Sequence, residues 1–333
     1  MDNFLFGNEY VCWTLDELFN ADFEKFKSVN ILNDDYNVVI SEFYGNLYGG
    51  QYNIPFYHCL PTINSIVGEK KFKFAVVTIG DDEIFFAYKV IQILTTKQIR
   101  VFDLPISRSN NMFNVGMVLT HLKGKDFVKF AFLGNYSNWY DMDKCDRLIE
   151  YDNYYYHNTL ASNIRNDKKR KYGINEFNAS GDFTVLLTNA LPLSELKDIR
   201  KDFNDYLIMR GSKINKNDDK DFFAICTSNE PRVCIMTMCY KNKIIHLTVL
   251  YVVKELGVAY TIYDMSRHAY DKSDAILKRA ISHNMTEKTR YFTSLLLPNI
   301  KVIYVLGCRP SEKRLLKHKE QTCDGKIEYY ITK

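Results

Sequence analysis

The stretch VIYVLGCRPSEKRLLKHKEQTCDGKIEYYI (302–331) decides the fold that the sequence predicts. It reads as an apolar strand that ends near a glycine, a basic helix over 311–322, a turn and a Tyr-Tyr strand. The helix has almost no apolar face, which by itself is typical of a solvated surface helix.

The composition is that of a globular protein and predicts neither a secretory signal nor a membrane span. The chain has 333 residues, of which 46% are hydrophobic and 25% charged, and its net charge is +4. MDNFLFGNEYVCW (1–13) has no basic leader segment, and no apolar run reaches the roughly 18 residues of a spanning helix. The 8 cysteines form no CxxC pair. We therefore predict a reduced, cytoplasmic protein without a metal site.

The two halves of the chain show the same order of elements. In the first, the hairpin KFKFAVVTIG–DDE–IFFAYKVIQIL leads to VFDLPISRS, a helix and the strand KFAFLG. In the second, a meander that ends in VAYTIYDMS leads to the helix SDAILKRAISHNM and the strand KVIYVLG. Ser-Arg follows a strand in each half, as Ser107–Arg108 and Ser266–Arg267. This repetition predicts a tandem duplication with domains over 1–150 and 151–333.

Three further segments of the chain have a predicted local structure. FFAICTS (222–228) is expected to be the first strand of the second meander, and SKINKNDDKD (212–221) a polar loop. The aromatic and acidic segment 141–156 is expected to connect the two halves. His246 lies in an apolar strand and is expected to be a packed histidine.

Meander, helix, strand, helix, strand is the order of the GNAT acyltransferase core, and three segments make the likeness more specific. HNTLASNIRNDKKRKYG (157–173), SDAILKRAISH (273–283) and VLGCRPSEKRLLKHKEQT (305–322) resemble segments of the Fem-type aminoacyltransferases and of the catalytic domain of phosphatidylglycerol lysyltransferases. In the last segment, His318–Lys319 stands where the family has a Phe-Lys pair. The resemblance implies an α/β (α+β) fold of two tandem GNAT-like domains. Each would be a mixed, mainly antiparallel sheet flanked by helices, with the active-site cleft in the second domain. The resemblance also implies that the polar face of the helix over 311–322 borders this cleft, the alternative being the solvated surface helix.

The resemblance also implies an acyl- or aminoacyltransferase that uses acyl-CoA or aminoacyl-tRNA as donor and an amine or hydroxyl as acceptor. GNAT enzymes bind the pyrophosphate of coenzyme A in a glycine-containing loop, because glycine lets backbone N–H groups approach phosphate. The corresponding stretch here, DMSRHAYDKSD (264–274), has no glycine. Ser266, Arg267 and Lys272 would then hold an anion through their side chains, and an ordinary polar turn is the alternative.

Candidate catalytic residues follow from the same comparison. Asp264, at a strand end, is the first candidate for a general base or an anchor of the substrate amine, and His268 is the second candidate base. Tyr329 on the last strand would protonate the leaving group. Lys319 matches the lysine that contacts an acceptor phosphate in Fem-type proteins, and Arg309 would act similarly. The alternative roles are a turn-forming aspartate, an exposed loop histidine and a packed tyrosine.

A basic run raises a different hypothesis, an enzyme that acylates a DNA or RNA base. The cations that would contact phosphate are Arg165, Lys168, Lys169, Arg170 and Lys171, the alternative being a solvated helix face. The neighbouring YDNYYYH (151–157) suits either base stacking or a seam between domains. A chain rich in Asn, Lys, Ile and Tyr also fits an AT-rich genome, including a viral one. A third hypothesis is a non-catalytic GNAT-like binding module.

Overall fold

A computed structural model shows the fold. It describes residues 12–14, 72–79, 81–93, 96–109, 111, 113–115, 131–133, 145–147, 152–157, 175, 179, 181–211, 213–214, 216–254, 257–269, 273–282, 285–308, 313–327 and 329–332.

Within these residues the chain forms two seven-stranded sheets and several helices. The strands are β1 Cys12–Thr14, β2 Phe72–Ile79, β3 Asp82–Ile93, β4 Thr96–Ser107, β5 Ala131–Leu133, β6 Cys145–Arg147, β7 Asp152–His157, β8 Phe183–Thr188, β9 Val233–Tyr240, β10 Lys243–Val253, β11 Val258–Ser266, β12 Val302–Cys308, β13 Gly325–Ile327 and β14 Tyr329–Thr332. The helices are α1 Leu193–Met209, α2 Lys216–Thr227, α3 Ala275–Ser282, α4 Met285–Leu296 and α5 Lys313–Thr322.

The two sheets have the same order of strands when β1–β7 and β8–β14 are taken as the two halves of the chain. The last strand of each half then lies in the sheet of the other half: β7 is in the second sheet and β14 is in the first. The first sheet runs β1-β2-β3-β4-β5-β14-β6, and the second, read from its other edge, runs β8-β9-β10-β11-β12-β7-β13. In each, an antiparallel meander is followed by a parallel strand. The meanders end at Ser107 and Ser266, so both Ser-Arg pairs begin the loop after the third meander strand. The mixed, mainly antiparallel α/β fold predicted from the sequence is therefore confirmed.

The exchanged strands make the compact units differ from a simple division in chain order. One unit consists of residues 1–153, 307–316 and 326–333, and the other of residues 154–306 and 317–325. Strand β14 belongs to the first sheet because it pairs with both β5 and β6. The segment 141–156, expected to be a connection, contains β6 and most of β7.

The second sheet is covered by helices on both faces. Met236 and Met238 of β9 pack with Leu277 of α3 and Phe292 of α4 on one face. On the other face Phe222 of α2 contacts the ring of Tyr263 edge-on, and α1 packs on β10 and β11. Every residue of β9 is buried, which matches a central strand with both faces covered.

A tight hairpin joins β9 to β10. Lys241 and Asn242 have φ angles of 49° and 62°, and two central residues with positive φ are the signature of a type I′ turn. This turn sets the register that pairs Tyr240 with Lys243.

The structure corrects two local predictions for the second half. FFAICTS is not a strand, because it forms the C-terminal part of α2, which begins at Lys216 inside the predicted loop. Phe222, Ile225 and Cys226 are all buried, and their spacing of three and four places them on one helical face. A short apolar run does not distinguish a buried helix face from a strand, and packing on the sheet favours the helix here. Helix α4 was not predicted.

Candidate active site in the second sheet

Strands β11 and β12 leave an open edge in the second sheet. Their parallel pairing joins Val258–Tyr260 to Val302–Tyr304, and among the described residues it ends there, while β11 continues to Ser266. The register of β10 and β11 also shifts at Val249/Leu250. Such bulges occur often beside functional sites because they redirect side chains. On the β12 side, the C-terminal part of β11 therefore has no strand partner among the residues that the structure describes.

A polar cluster lies on this part of the sheet. His246 and Thr248 of β10 pair with Ser266 and Asp264 of β11, respectively. The residues alternate along each strand, so their side chains point to one face, which α4 covers with Thr289. We call these five residues the His246 cluster.

The His246 cluster has a buried interior and a partly exposed carboxylate. Nε2 of His246 lies 2.9 Å from Oδ1 of Asp264 and 3.1 Å from Oγ1 of Thr289, while Nδ1 lies 2.9 Å from Oγ of Ser266. Thr248 donates a 2.9 Å hydrogen bond to the same Asp264 oxygen. The His246 side chain is 1% exposed, whereas that of Asp264 is 29% exposed. The cluster therefore presents one fixed carboxylate to solvent or to a ligand.

The surroundings keep this carboxylate ionised. Burial raises the pKa of Asp264, but the charge of His246 and hydrogen bonds from His246 and Thr248 oppose burial, as does the charge of Lys319. These favourable interactions are stronger together, so the pKa of Asp264 lies below its usual value of 3.8. At neutral pH the side chain is an anion that can bind a cation.

The predicted site residues near Asp264 are only partly brought together. Ser266 belongs to the His246 cluster, and Lys319, buried in α5, acts on Asp264 electrostatically. Arg267 instead is buried against α1, where its guanidinium donates to Asp198 and to the backbone oxygen of Ile244. These contacts attach α1 to the sheet.

His268 also faces α1. Its ring stacks on Tyr206 with the centroids 3.5 Å apart, and its backbone N–H donates to Asp202. Burial lowers the pKa of His268 more than the charge of Asp202 raises it, so the imidazole is neutral at pH 7. The residue is thus tied to a helix rather than to the His246 cluster.

The remaining predicted site residues lie elsewhere or outside the described residues. Tyr329 is on β14, whose Cα partner at that position is Leu133, so it belongs to the first sheet rather than the second. Lys272, Arg309 and the basic run Arg165 and Lys168–Lys171 lie outside the described residues. Their proposed roles stay predictions.

Sequence reasoning missed the partners of Asp264. His246 is packed as expected, but against a carboxylate and hydroxyls rather than in a purely apolar core. A signal was present: IIHLTV and YDMS each carry polar residues two apart in apolar strands, and two such strands in one meander place them together. Thr289 had no such signal, because it depends on the unpredicted α4.

Across the described residues, no group of three or more His, Cys, Asp or Glu side chains is arranged to bind a metal ion. No helix in the same part of the chain combines the length and apolar character needed to cross a bilayer.

Comparison with known proteins identifies the fold. No family profile and no curated protein matches the chain by sequence. Among solved structures, a conserved protein of unknown function from Bacteroides thetaiotaomicron is 14% identical, with a TM-score of 0.54 and 95% of each chain covered. The C-terminal domain of a putative lysylphosphatidylglycerol synthetase from Agrobacterium fabrum is 11% identical, with a TM-score of 0.50, 89% of this chain and 92% of that chain covered. FemX is 7% identical, with a TM-score of 0.52 and coverage of 79% and 89%. The resemblance inferred from the sequence is thus confirmed at the level of the fold, which is similar to the folds of FemX and of the lysylphosphatidylglycerol synthetase domain.

Proposed function

We propose that this protein is an acyl- or aminoacyltransferase, which moves an acyl group from acyl-CoA or aminoacyl-tRNA to an amine or hydroxyl acceptor. The observation that carries the proposal is the Asp264 carboxylate, which buried hydrogen bonds hold beside the edge of β11 that has no described strand partner. The likeness to FemX and to the synthetase domain supports the reaction class.

The lowered pKa of Asp264 favours one of its two predicted roles. A carboxylate with a low pKa is a weak general base, since catalytic bases work best with a pKa near the operating pH. It is a good partner for an ammonium group, because charge-assisted hydrogen bonds are about twice as strong as neutral ones. Asp264 therefore binds and orients the acceptor amine.

In the reaction, the ammonium held by Asp264 first releases one proton to solvent, and the neutral amine nitrogen then attacks the acyl carbonyl carbon. The C–N bond forms, the ester C–O bond or thioester C–S bond breaks, and the leaving group takes up the proton that the nitrogen loses. His246 is a positioning residue, since it is buried behind Asp264 and holds the carboxylate through Nε2.

The two other hypotheses have less support. The cations of a nucleic-acid interface, Arg165 and Lys168–Lys171, lie outside the described residues, and no observation on the described ones favours base modification. A non-catalytic module requires only the fold. The experiment below tests the non-catalytic module, which would consume neither donor.

The test begins with donor binding. The purified chain is incubated with a pool of acyl-CoA thioesters and with charged tRNA, and native mass spectrometry identifies what is retained. The retained donor is then used in a transfer assay with small amines, and a donor that is neither retained nor consumed contradicts the proposal.

The variant Asp264→Asn should then raise KM for the amine by about 10- to 150-fold, the range expected for losing a charged hydrogen bond. Asp205→Asn is the matched control, since Asp205 is an exposed aspartate of α1. If both variants behave alike, Asp264 is not the amine anchor.

A further inference from the structure

Ser266 is a member of the His246 cluster to which direct attack by the amine assigns no role. It stands opposite His246 in the register of β10 and β11, and its Oγ lies 2.9 Å from Nδ1 of His246. The side chain of His246 is buried, whereas Ser266 is half-buried. A partly accessible hydroxyl therefore contacts one nitrogen of a buried imidazole, and the other nitrogen of that ring contacts Asp264.

The contacts of His246 determine which of its nitrogens carries the proton. Asp264 is ionised at neutral pH, and a carboxylate only accepts hydrogen bonds, so Nε2 donates its proton to Oδ1 of Asp264 at 2.9 Å. When the imidazole is neutral, Nδ1 is then unprotonated and accepts the hydroxyl proton of Ser266. This is the tautomer in which histidine acts as a base toward a serine hydroxyl.

Serine, histidine and aspartate thus form a chain of contacts in which an acid orients a base and the base activates a hydroxyl. The strand register holds this chain in place. The N–H of Arg267 donates to the carbonyl oxygen of Ile245 at 2.8 Å, so His246 and Ser266 form a pair without backbone hydrogen bonds between them. Side chains of such pairs lie closest together in an antiparallel sheet.

The backbone of Ser266 supplies a further group. Because the N–H of Arg267 faces β10, the N–H of Ser266 points the other way, to the side on which this part of β11 has no described strand partner. An acyl carbonyl oxygen attacked by Ser266 can accept a hydrogen bond from this N–H. Serine nucleophiles elsewhere use their own backbone N–H in this way to stabilise the oxyanion.

The equivalent serine of the first repeat has different surroundings. Ser107 ends its meander as Ser266 does, but its register partner is Ile84 and its hydroxyl donates to Asp82 at 2.7 Å. Ser107 is also completely buried. A histidine opposite the serine therefore distinguishes the second repeat from the first, as expected of a reactive group rather than of a packing feature that both repeats share.

We propose that Ser266 is a nucleophile that takes up the acyl group, with His246 as its base and Asp264 as the group that orients His246. This inference rests on the proposed transferase function and replaces direct attack by the amine with two steps. His246 then does more than position Asp264. The described contacts of Asp264 with His246 and Thr248 use Oδ1, so Oδ2 can still hold the acceptor amine.

In the first step, Oγ of Ser266 attacks the donor carbonyl carbon and passes its proton to Nδ1 of His246. The C–O bond of an ester or the C–S bond of a thioester breaks, and the leaving oxygen or sulfur takes that proton. In the second step, the neutral amine attacks the acyl-serine. The C–N bond forms, the bond from the acyl carbon to Oγ breaks, and the proton that the nitrogen loses returns to Oγ through His246.

Labelling of the full-length chain with a fluorophosphonate, which reacts with activated serine hydroxyls, tests the inference without a natural donor. Oγ of Ser266 should displace fluoride, and peptide mass spectrometry should locate the phosphonyl group on Ser266. Ser266→Ala should lose this label. Ser228→Ala is the matched control and should be labelled at the wild-type rate, since Ser228 is an exposed serine whose hydroxyl donates to the carbonyl oxygen of Ile225.

Variants of the other two residues separate activation from packing. His246→Gln has no base at the position of Nδ1, so the labelling rate should fall by about 10²- to 10⁴-fold, the range of general base catalysis. Asp264→Asn should also slow labelling although no amine is present, whereas a carboxylate that only binds the amine would leave the rate unchanged. Hydrogen exchange across β10 and β11 identifies the variants that remain folded.

Two results would overturn the inference. One is a wild-type chain that is not labelled at Ser266, and the other is a rate of amine transfer that Ser266→Ala leaves unchanged. Failure of the proposed function is recognised separately. Label on Ser266 without transfer from acyl-CoA or charged tRNA to any amine would retain the nucleophile and reject the transferase, whereas transfer that survives Ser266→Ala would do the reverse.

Discussion

Replacing His246 with leucine should lower the local stability of β10 and β11, because His246 holds the Asp264 carboxylate between these two strands. Leucine has nearly the volume of histidine but no hydrogen-bonding atoms, so the change isolates the polar contacts. His246 loses the 2.9 Å contact from Nε2 to Asp264 and the 2.9 Å contact from Nδ1 to Ser266. Thr248 still donates to Asp264, and Thr289 remains 3.3 Å from Thr248, so neither hydroxyl loses all its partners.

The expected loss of stability follows from these contacts. A hydrogen bond to a charged group contributes about 1.5–3 kcal/mol and a neutral one about 0.5–1.5 kcal/mol. His246→Leu should therefore lower the free energy of opening of this region by about 2–4 kcal/mol. His246→Gln retains an amide donor near the position of Nε2 and should recover part of that loss.

Hydrogen exchange detected by mass spectrometry is the suitable assay. The sequence has no tryptophan within residues 154–306 and 317–325 of the second unit, so tryptophan fluorescence is not a direct probe of the second sheet. Exchange of peptides that cover β10 and β11 measures local opening directly and does not require the whole chain to unfold in one step.

A double-mutant cycle with Asp264→Asn isolates the pair. The coupling energy between positions 246 and 264 should be about 1–3 kcal/mol, as expected for residues in direct contact. A coupling below about 0.5 kcal/mol, within the additivity expected of independent sites, would refute the argument that His246 holds Asp264.

Three further predictions concern ionisation and backbone strain. Folding lowers the pKa of Asp264, so its carboxylate contributes to stability above the unfolded pKa of 3.8, and this contribution is lost as the pH falls through the lower pKa of the folded chain. Urea midpoints measured by circular dichroism should therefore drop in this acid range, and they should drop by less in Asp264→Asn. Burial, only partly opposed by the charge of Arg200, raises the pKa of Cys226 to about 12. Iodoacetamide at about pH 8 should therefore label Cys226 in the unfolded chain but not in the native one, and rapid labelling of the native chain would contradict this. Gly257 has φ +64°, and a Cβ added there would lie 3.2 Å from the Asn299 carbonyl oxygen, so Gly257→Ala should lower the free energy of unfolding by about 1–3 kcal/mol in a thermal or urea melt. Gly211→Ala is the control, since Gly211 has φ +79° but open space around it, and it should lower stability by less. Equal losses would mean that the contact with Asn299 is unimportant.

Much of the fold could be read from local patterns. The meander β9-β10-β11 shows long apolar runs, as expected of buried strands, and the paired Ser-Arg motifs indicated a repeat. Such signals are local, because side-chain spacing and turn residues act over a few positions. The mistake at FFAICTS has the same origin, since a short apolar run fits either a strand or a helix face until its packing surface is known.

The candidate site could be predicted only in part. Asp264 stood out because a carboxylate at the end of an apolar strand needs a reason. Its partner Thr248 could be inferred from alternation along the strand, whereas Thr289, 43 residues from His246, could not. The aspartate that accepts the backbone N–H groups of His268 and Ala269 could not be predicted either, since Asp202 lies 66 residues before His268 in the chain.

The sequence by itself determined many of the strands and helices, the repeat and the position of an acid on β11, since these depend on local periodicity and turn chemistry. The tertiary structure alone decided that β7 lies in the second sheet and β14 in the first, that His246 contacts both Asp264 and Thr289, and that Asp202 accepts the backbone N–H groups of His268 and Ala269. The physical reason is that these contacts join residues far apart in the chain. Their geometry is set by strand register and by how helices pack on the sheet, and neither is encoded in a short stretch of residues.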